Sequence, residues 1–193
     1  MERRGERGWV EVVCGPMFSG KSEELIRRVT RSMIARIPVQ AFKPGLDTRY
    51  SLSQVTSHSS LRVDAQPVDS SAALLRAVNK ETIVVGVDEG QFFDEGLVAV
   101  CEALAVAGKQ VIVAGLDLDY LGRPFDPIPR LAARSEYVTK MLAVCHRCGA
   151  PAAFTQRIVD SDELVVLGAT DSYEARCRLC YDPAEPEQTR LDM

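Results

Sequence analysis

Eight consecutive residues constrain the fold of this chain more than any others: Gly15-Pro16-Met17-Phe18-Ser19-Gly20-Lys21-Ser22. An apolar run from Trp9 to Cys14 precedes them. After Lys21 a helical pattern begins, in which Leu25, Ile26, Val29 and Met33 share one face. Strand, glycine-bounded turn and helix in that order form the context that the Walker A pattern requires. The two glycines let the backbone curl so that successive N–H groups point at a phosphate chain, and the helix N-terminus adds partial positive charge. Lys21 then reaches the β- and γ-phosphates, and the Ser22 hydroxyl is placed to hold Mg²⁺. A turn that only joins a strand to a helix does not need all four matched positions. The loop does not say where the phosphate goes, because motors, switches, recombinases and small-molecule kinases share it.

The rest of the chain narrows the choice. Its 193 residues suit one core domain with an appendage. The net charge of −4, from 23 basic and 27 acidic residues, gives no footprint for duplex nucleic acid. The basic start MERRGERG is not followed by an apolar segment long enough for a signal peptide, and no run approaches a membrane span. The expected address is the cytoplasm, where the six cysteines are reduced or metal-bound. Cys14 and Cys101 fall in a strand and a helix and read as buried thiols.

Val39 to Lys43 reads as a strand, followed by a polar loop over LDTRYSLSQVTSHSS that holds His58. Leu61 to Val68 reads as a strand. Ser70 to Asn79 reads as a helix with Asp69 as its N-cap. Thr82 to Val87 is a β-branched run suited to a buried parallel strand, and it ends in Asp88-Glu89-Gly90-Gln91-Phe92-Phe93. A carboxylate there is the Walker B arrangement. Asp88 is expected on the Mg²⁺, with Gln91 beside the nucleotide, and Glu89 is expected to accept a proton from an attacking hydroxyl or water. A helix from Asp94 to Ala107 and a strand from Gln110 to Leu116 continue the alternation. The result is an α/β fold, an open and mostly parallel sheet with helices on both faces and its ligands outside the carboxyl ends of the strands. Gly15, Asp88 and Asp117 all fall at such ends.

Leu131 to Lys140 reads as a helix leading into the strand-like MLAVC. Cys145-x-x-Cys148 and Cys177-x-x-Cys180 are two close thiolate pairs, the usual halves of a tetrahedral Zn²⁺ site; a dithiol redox centre would need only one. His146 lies inside the first pair and is not required as a ligand. Between the pairs runs a long excursion that includes Thr155-Gln156-Arg157. Such a loop, pinned at both ends by a metal, suits closure over a ligand. The tail DPAEPEQTRLDM is charged and without an apolar pattern, and is expected to be disordered. The expected division is a nucleotide-binding core over 1–140, a zinc-binding lid over 141–182 and the tail over 183–193.

GPMFSGKS, KPGLDTRY, DEGQFF, GLDLDYLGRPF and AVCHRCG, in this order and separation, make residues 9–181 resemble the thymidine kinases of the zinc-containing type shared by bacteria and animal cytosol. The resemblance implies a RecA-like P-loop core with a small zinc-ribbon lid, ATP with Mg²⁺ as donor, and the 5′-hydroxyl of thymidine as acceptor. It places Gly15 to Ser22, Asp88 and Gln91 around the nucleotide, with Glu89 as catalytic base. Asp47 and Arg49 fall near the phosphate and sugar. Met17, Phe92, Leu116, Tyr120 and Phe125 surround thymine, and Tyr173 contacts the nucleoside. Leu164, Val165, Val166, Leu167 and Gly168 form a lasso that reads the base through its main chain. It also implies a homotetramer and feedback inhibition by thymidine triphosphate (dTTP), with no nucleic-acid or membrane partner. Two other classes stay open on the residues alone: an ATPase acting on nucleic acid, and a nucleotide-dependent switch.

Overall fold

The computed structural model describes residues 8–45, 54–56, 62–159 and 172–183. Its centre is a seven-stranded sheet in the order β3-β4-β2-β5-β6-β1-β7. The strands are β1 (Trp9–Cys14), β2 (Val39–Pro44), β3 (Gln54–Thr56), β4 (Arg62–Val68), β5 (Val84–Val87), β6 (Gln110–Gly115) and β7 (Tyr137–Lys140). Every pairing is parallel except that of β3 with β4. Helices α1 (Lys21–Ile34), α2 (Ser71–Ala77), α3 (Gly96–Val106) and α4 (Ile128–Ala132) supply the crossovers.

Parallel strands covered on both faces are apolar nearly throughout. Val13, Ala41, Val84, Ile112 and Ala114 pack on Leu25, Ile26 and Val29 of α1. Val12, Phe42, Val85, Val87, Val111 and Val113 point the other way, onto Leu74 of α2, Leu97, Cys101 and Leu104 of α3, and Ile128 and Leu131 of α4. Glu11 is the polar exception in β1. Its carboxylate accepts from Trp9 Nε1 at 2.7 Å and Gln110 Nε2 at 2.7 Å, and pairs with Arg28 at 2.6 Å, so the buried charge is compensated.

Several elements differ from what the sequence suggests. Met33 is 53% exposed and leaves the buried face of α1, which ends in contact with solvent rather than sheet. Ser70, not Asp69, caps α2: its side chain accepts from Ala73 N at 3.1 Å. The polar loop after β2 contains a strand, β3, paired with β4. The expected helix over Leu131 to Lys140 stops at Ala132. The chain then extends, Glu136 Oε2 accepts from Val10 N at 2.7 Å, and β7 takes the hydrogen-bonding edge that β1 would otherwise leave open.

A smaller unit follows. Strands β8 (Ala143–Val144) and β9 (Pro151–Ala152) pair, as do β10 (Phe154–Arg157) and β11 (Tyr173–Arg176). Ala143, Cys145, Ala152, Ala175 and Cys177 form its buried centre.

Candidate active site

The loop between β1 and α1 has the backbone its glycines permit. Gly15 has φ 145° and Gly20 φ 82°. A Cβ on Gly15 would sit 2.3 Å from the Met141 carbonyl oxygen, so no side chain fits. Ser19 Oγ donates to the Pro16 carbonyl at 2.8 Å, and Lys21 Nζ donates to the same carbonyl at 2.7 Å, which lays the ammonium across the loop. Burial lowers the Lys21 pKa, while Glu89, Asp88 and Asp117 act to raise it. The loop therefore holds a desolvated cation whose charge is favoured by four carboxylates, Glu23 being the fourth.

Asp88 follows β5 directly. It accepts from Ser22 Oγ through Oδ1 at 3.1 Å, so the two side chains predicted to share Mg²⁺ stand together. Burial, reinforced by neighbouring Glu89, raises Asp88 to about 7. A buried carboxylate and a hydroxyl in contact form an all-oxygen donor pair that fits Mg²⁺, which would itself favour the ionised carboxylate.

Glu89 adopts left-handed backbone, φ 51°, at the start of a 3-10 turn over Gly90–Phe92. Gln91 Nε2 donates to Glu89 Oε2 at 2.5 Å, and Gln91 Oε1 accepts from Leu116 N at 3.0 Å. Gln91 thus sits buried with its amide committed to the Glu89 carboxylate and to the chain leaving β6.

Beyond β6, residues 116–127 form a tight loop. Asp119 Oδ1 accepts from Leu121 N and Arg123 N, both at 2.9 Å. Phe92 and Phe125 meet edge to face, centroids 6.2 Å apart. The Arg157 guanidinium lies 3.5 Å over the Tyr120 ring and donates to Tyr173 Oη at 3.2 Å. Tyr181 Oη donates to the Tyr120 carbonyl at 2.8 Å. The structure therefore joins Tyr120 and Tyr173 through Arg157, and Phe92 to Phe125. Asp47, Arg49 and His58, residues 164–168 and the tail beyond 183 lie outside the described residues.

The sequence places Asp117 at a strand end but does not reveal its partner. Its Oδ2 pairs with Lys140 at 2.6 Å across the end of β1, while Oδ1 is buried without a hydrogen-bond partner in the structure. Thr155, Arg157 and Lys140 are the residues whose contacts sequence reasoning missed. Each acts through a partner distant along the chain, and only the folded arrangement of β7, β10 and the strand ends reveals it.

The four thiols come together as their spacing requires. All four Sγ atoms of Cys145, Cys148, Cys177 and Cys180 lie within 4.8 Å of one another. Zinc–sulfur bonds of about 2.3 Å in a tetrahedron need sulfurs roughly 3.8 Å apart, so the cluster fits Zn²⁺. The shell is complete without His146, whose Nδ1 instead accepts from Ala175 N at 3.1 Å.

The family profile described as thymidine kinase matches residues 8–181. This chain belongs to the thymidine kinase family. It is 54% identical over 185 residues to a thymidine kinase of Rhodothermus sp. (strain ITI 518), covering 96% of this chain and 86% of that protein. It is 51% identical over 181 residues to the thymidine kinase of Bacteroides thetaiotaomicron, covering 94% of this chain and 90% of the relative. A Bacteroides fragilis thymidine kinase gives the same identity and coverage. Family membership also fixes the P-loop class of the α/β core.

Proposed function

We propose that this protein transfers the γ-phosphoryl group of ATP to the 5′-hydroxyl of thymidine, giving thymidine monophosphate in pyrimidine salvage. The observation that carries the reading is one crevice, at the carboxyl ends of β1, β5 and β6, that gathers the Walker A loop, the Ser22–Asp88 contact and Glu89 in a chain of this family.

Phosphoryl transfer asks a protein for positioning and charge neutralisation more than for covalent help. The N–H groups from Gly15 to Ser22 cradle the triphosphate, and Lys21 turns from the Pro16 carbonyl to the β- and γ-phosphates. Ser22 and Asp88 hold the Mg²⁺, which when bound neutralises charge on the phosphate oxygens. Glu89 accepts the proton of the 5′-hydroxyl. Gln91 aims that carboxylate, and so serves the nucleotide site from behind Glu89.

Met17, Phe92, Leu116, Tyr120 and Phe125 form the apolar side of the acceptor site, and Tyr173 completes it through Arg157. Asp47, Arg49 and the 164–168 lasso belong to the same site on the strength of the family resemblance. The four cysteines hold a structural zinc in a lid over 141–182, against a core over 1–140. A homotetramer, dTTP as feedback inhibitor and a cytoplasmic address complete the reading. No helix among the described residues is long and apolar enough to cross a membrane.

The test is transfer from γ-labelled ATP and Mg²⁺ to a panel of thymidine, deoxyuridine, deoxycytidine, deoxyguanosine and deoxyadenosine. Labelled monophosphate is expected chiefly from thymidine. Release of free phosphate insensitive to every nucleoside would overturn the reading.

A further inference from the structure

The Walker A loop is held from outside its own strand and helix. Thr155, in β10 and 3% exposed, offers Oγ1 to the backbone N–H of Met17 at 3.0 Å. The next residue, Phe18, has φ 64°. Left-handed backbone at a bulky side chain is unfavourable and persists only where the surroundings hold it. What holds Phe18 is the four-cysteine unit: its side chain packs on the small core around Cys145, Ala175 and Cys177, and its ring meets His146 edge-on at 5.9 Å and 70°.

Both supports trace to one residue. His146 N donates to the Ala175 carbonyl at 3.0 Å, and Ala175 N donates back to His146 Nδ1 at 3.1 Å. Thr155 stands opposite Ala175 in the β10–β11 register. Ala175 is wholly buried, so the two contacts are made from a fixed base. They fall on consecutive loop residues, immediately before Ser19-Gly20-Lys21-Ser22, whose N–H groups must converge on the phosphates.

We propose that Thr155 and His146 are positioning residues for the phosphate donor: from the cysteine unit they clamp Met17 and Phe18 in the shape that aims the rest of the loop. The inference rests on the reading above that this loop binds ATP. It assigns these two side chains a part in donor binding that neither zinc ligation nor nucleoside contact requires.

The test compares Thr155→Val, which keeps the shape and loses the acceptor, with Thr155→Ser, which keeps the acceptor. MgATP affinity is measured by titration calorimetry, zinc content by metal analysis, and KM for both substrates from initial rates. Removing one neutral hydrogen bond from the loop is worth roughly a five-fold loss. Thr155→Val should weaken MgATP binding and raise the ATP KM by about that factor, with full zinc content; because Met17 also lines the acceptor site, MgATP affinity titrated without nucleoside is the deciding value. Thr155→Ser should restore both donor values. His146→Phe keeps a ring against Phe18 but loses the Nδ1 acceptor of the buried Ala175 N–H, and His146→Ala loses both; each is read for zinc content beside MgATP affinity, and His146→Ala should raise the ATP KM at full zinc content. Wild-type MgATP affinity in both Thr155→Val and His146→Ala, or equal losses in the Val and Ser variants, would overturn the inference. Failure of the unmodified protein to bind MgATP in the same titration would overturn the reading of the loop itself.

Discussion

Gln91→Leu separates orientation of Glu89, the proposed catalytic carboxylate, from its presence. The substitution keeps approximate side-chain volume and removes two contacts, the 2.5 Å donation to Glu89 Oε2 and the 3.0 Å acceptance from Leu116 N. A hydrogen bond to a charged group contributes about 1.5–3 kcal/mol, and a buried N–H left without a partner costs about 1–3 kcal/mol. The second figure falls on stability. For a chain of this length about 2 kcal/mol corresponds to a fall in Tm of roughly 4–8 °C. The first falls on catalysis, because Glu89 sits in left-handed backbone and depends on Gln91 for its direction. If about 1.5–3 kcal/mol of orientation is lost at the transition state, kcat falls roughly 10- to 150-fold. Neither KM should change more than about two- or three-fold, since Lys21, Ser22 and Asp88 are untouched. Initial rates with thymidine and MgATP, alongside thermal unfolding, measure both effects. A variant with the lowered Tm but wild-type kcat would refute the argument, by showing that Glu89 finds its direction without Gln91.

Other changes follow from the same geometry. Gly15→Ala should abolish MgATP binding by calorimetry, because its Cβ would lie 2.3 Å from the Met141 carbonyl at a φ of 145°. Lys140→Ala leaves Asp117 buried without its partner at 2.6 Å. Since the lysine side chain is 48% exposed, the loss of stability should be about 1–2 kcal/mol in chemical denaturation, and Asp117→Asn in the same chain should recover most of it. Burial raises the Cys14 thiol to about 11 and the Cys101 thiol to about 12, so alkylation of the native protein in mildly alkaline buffer should spare both. A strong chelator should release zinc and expose Cys145, Cys148, Cys177 and Cys180 to the same reagent, with mass spectrometry locating the adducts.

The central features are legible in the sequence because their signals are local. Walker A occupies eight consecutive positions, Asp88 and Glu89 end a β-branched run, and each cysteine pair spans four residues. What stays hidden is set by distant partners. The stretch after Leu131 has apolar spacing compatible with a helix, yet the open edge of β1 draws Tyr137–Lys140 into a strand. Asp69 and Ser70 are both competent caps, and only the path of the chain shows that Ser70 reaches Ala73 N. Gln91 reads from its motif as a residue beside the nucleotide, and the motif does not show that its amide also reaches the Leu116 N–H beyond β6. Met33 continues the apolar stripe of α1 by spacing, but at the end of the helix it faces solvent.

Strand β10 brings these observations into one arrangement. Its alternate residues face opposite ways, so Phe154 and Gln156 lie on one side and Thr155 and Arg157 on the other. Phe154 stacks on Tyr181 at 4.4 Å, and Gln156 Oε1 accepts from Asp182 N, which fastens the outer face to the chain after the last cysteine. The inner face reaches both halves of the crevice: Thr155 to Met17 in the phosphate loop, Arg157 to Tyr120 in the loop after β6. Tyr181 closes the circuit by donating to the Tyr120 carbonyl. In-line transfer tolerates little error in the separation of donor and acceptor, and misplacement by about 1 Å can cost about a hundred-fold. Two side chains fixed two residues apart on one strand set that separation more rigidly than two loops anchored independently could. On the proposed function, the cysteine unit, by carrying β10 and β11 in register, acts on the distance across which the phosphoryl group moves as well as on its own stability.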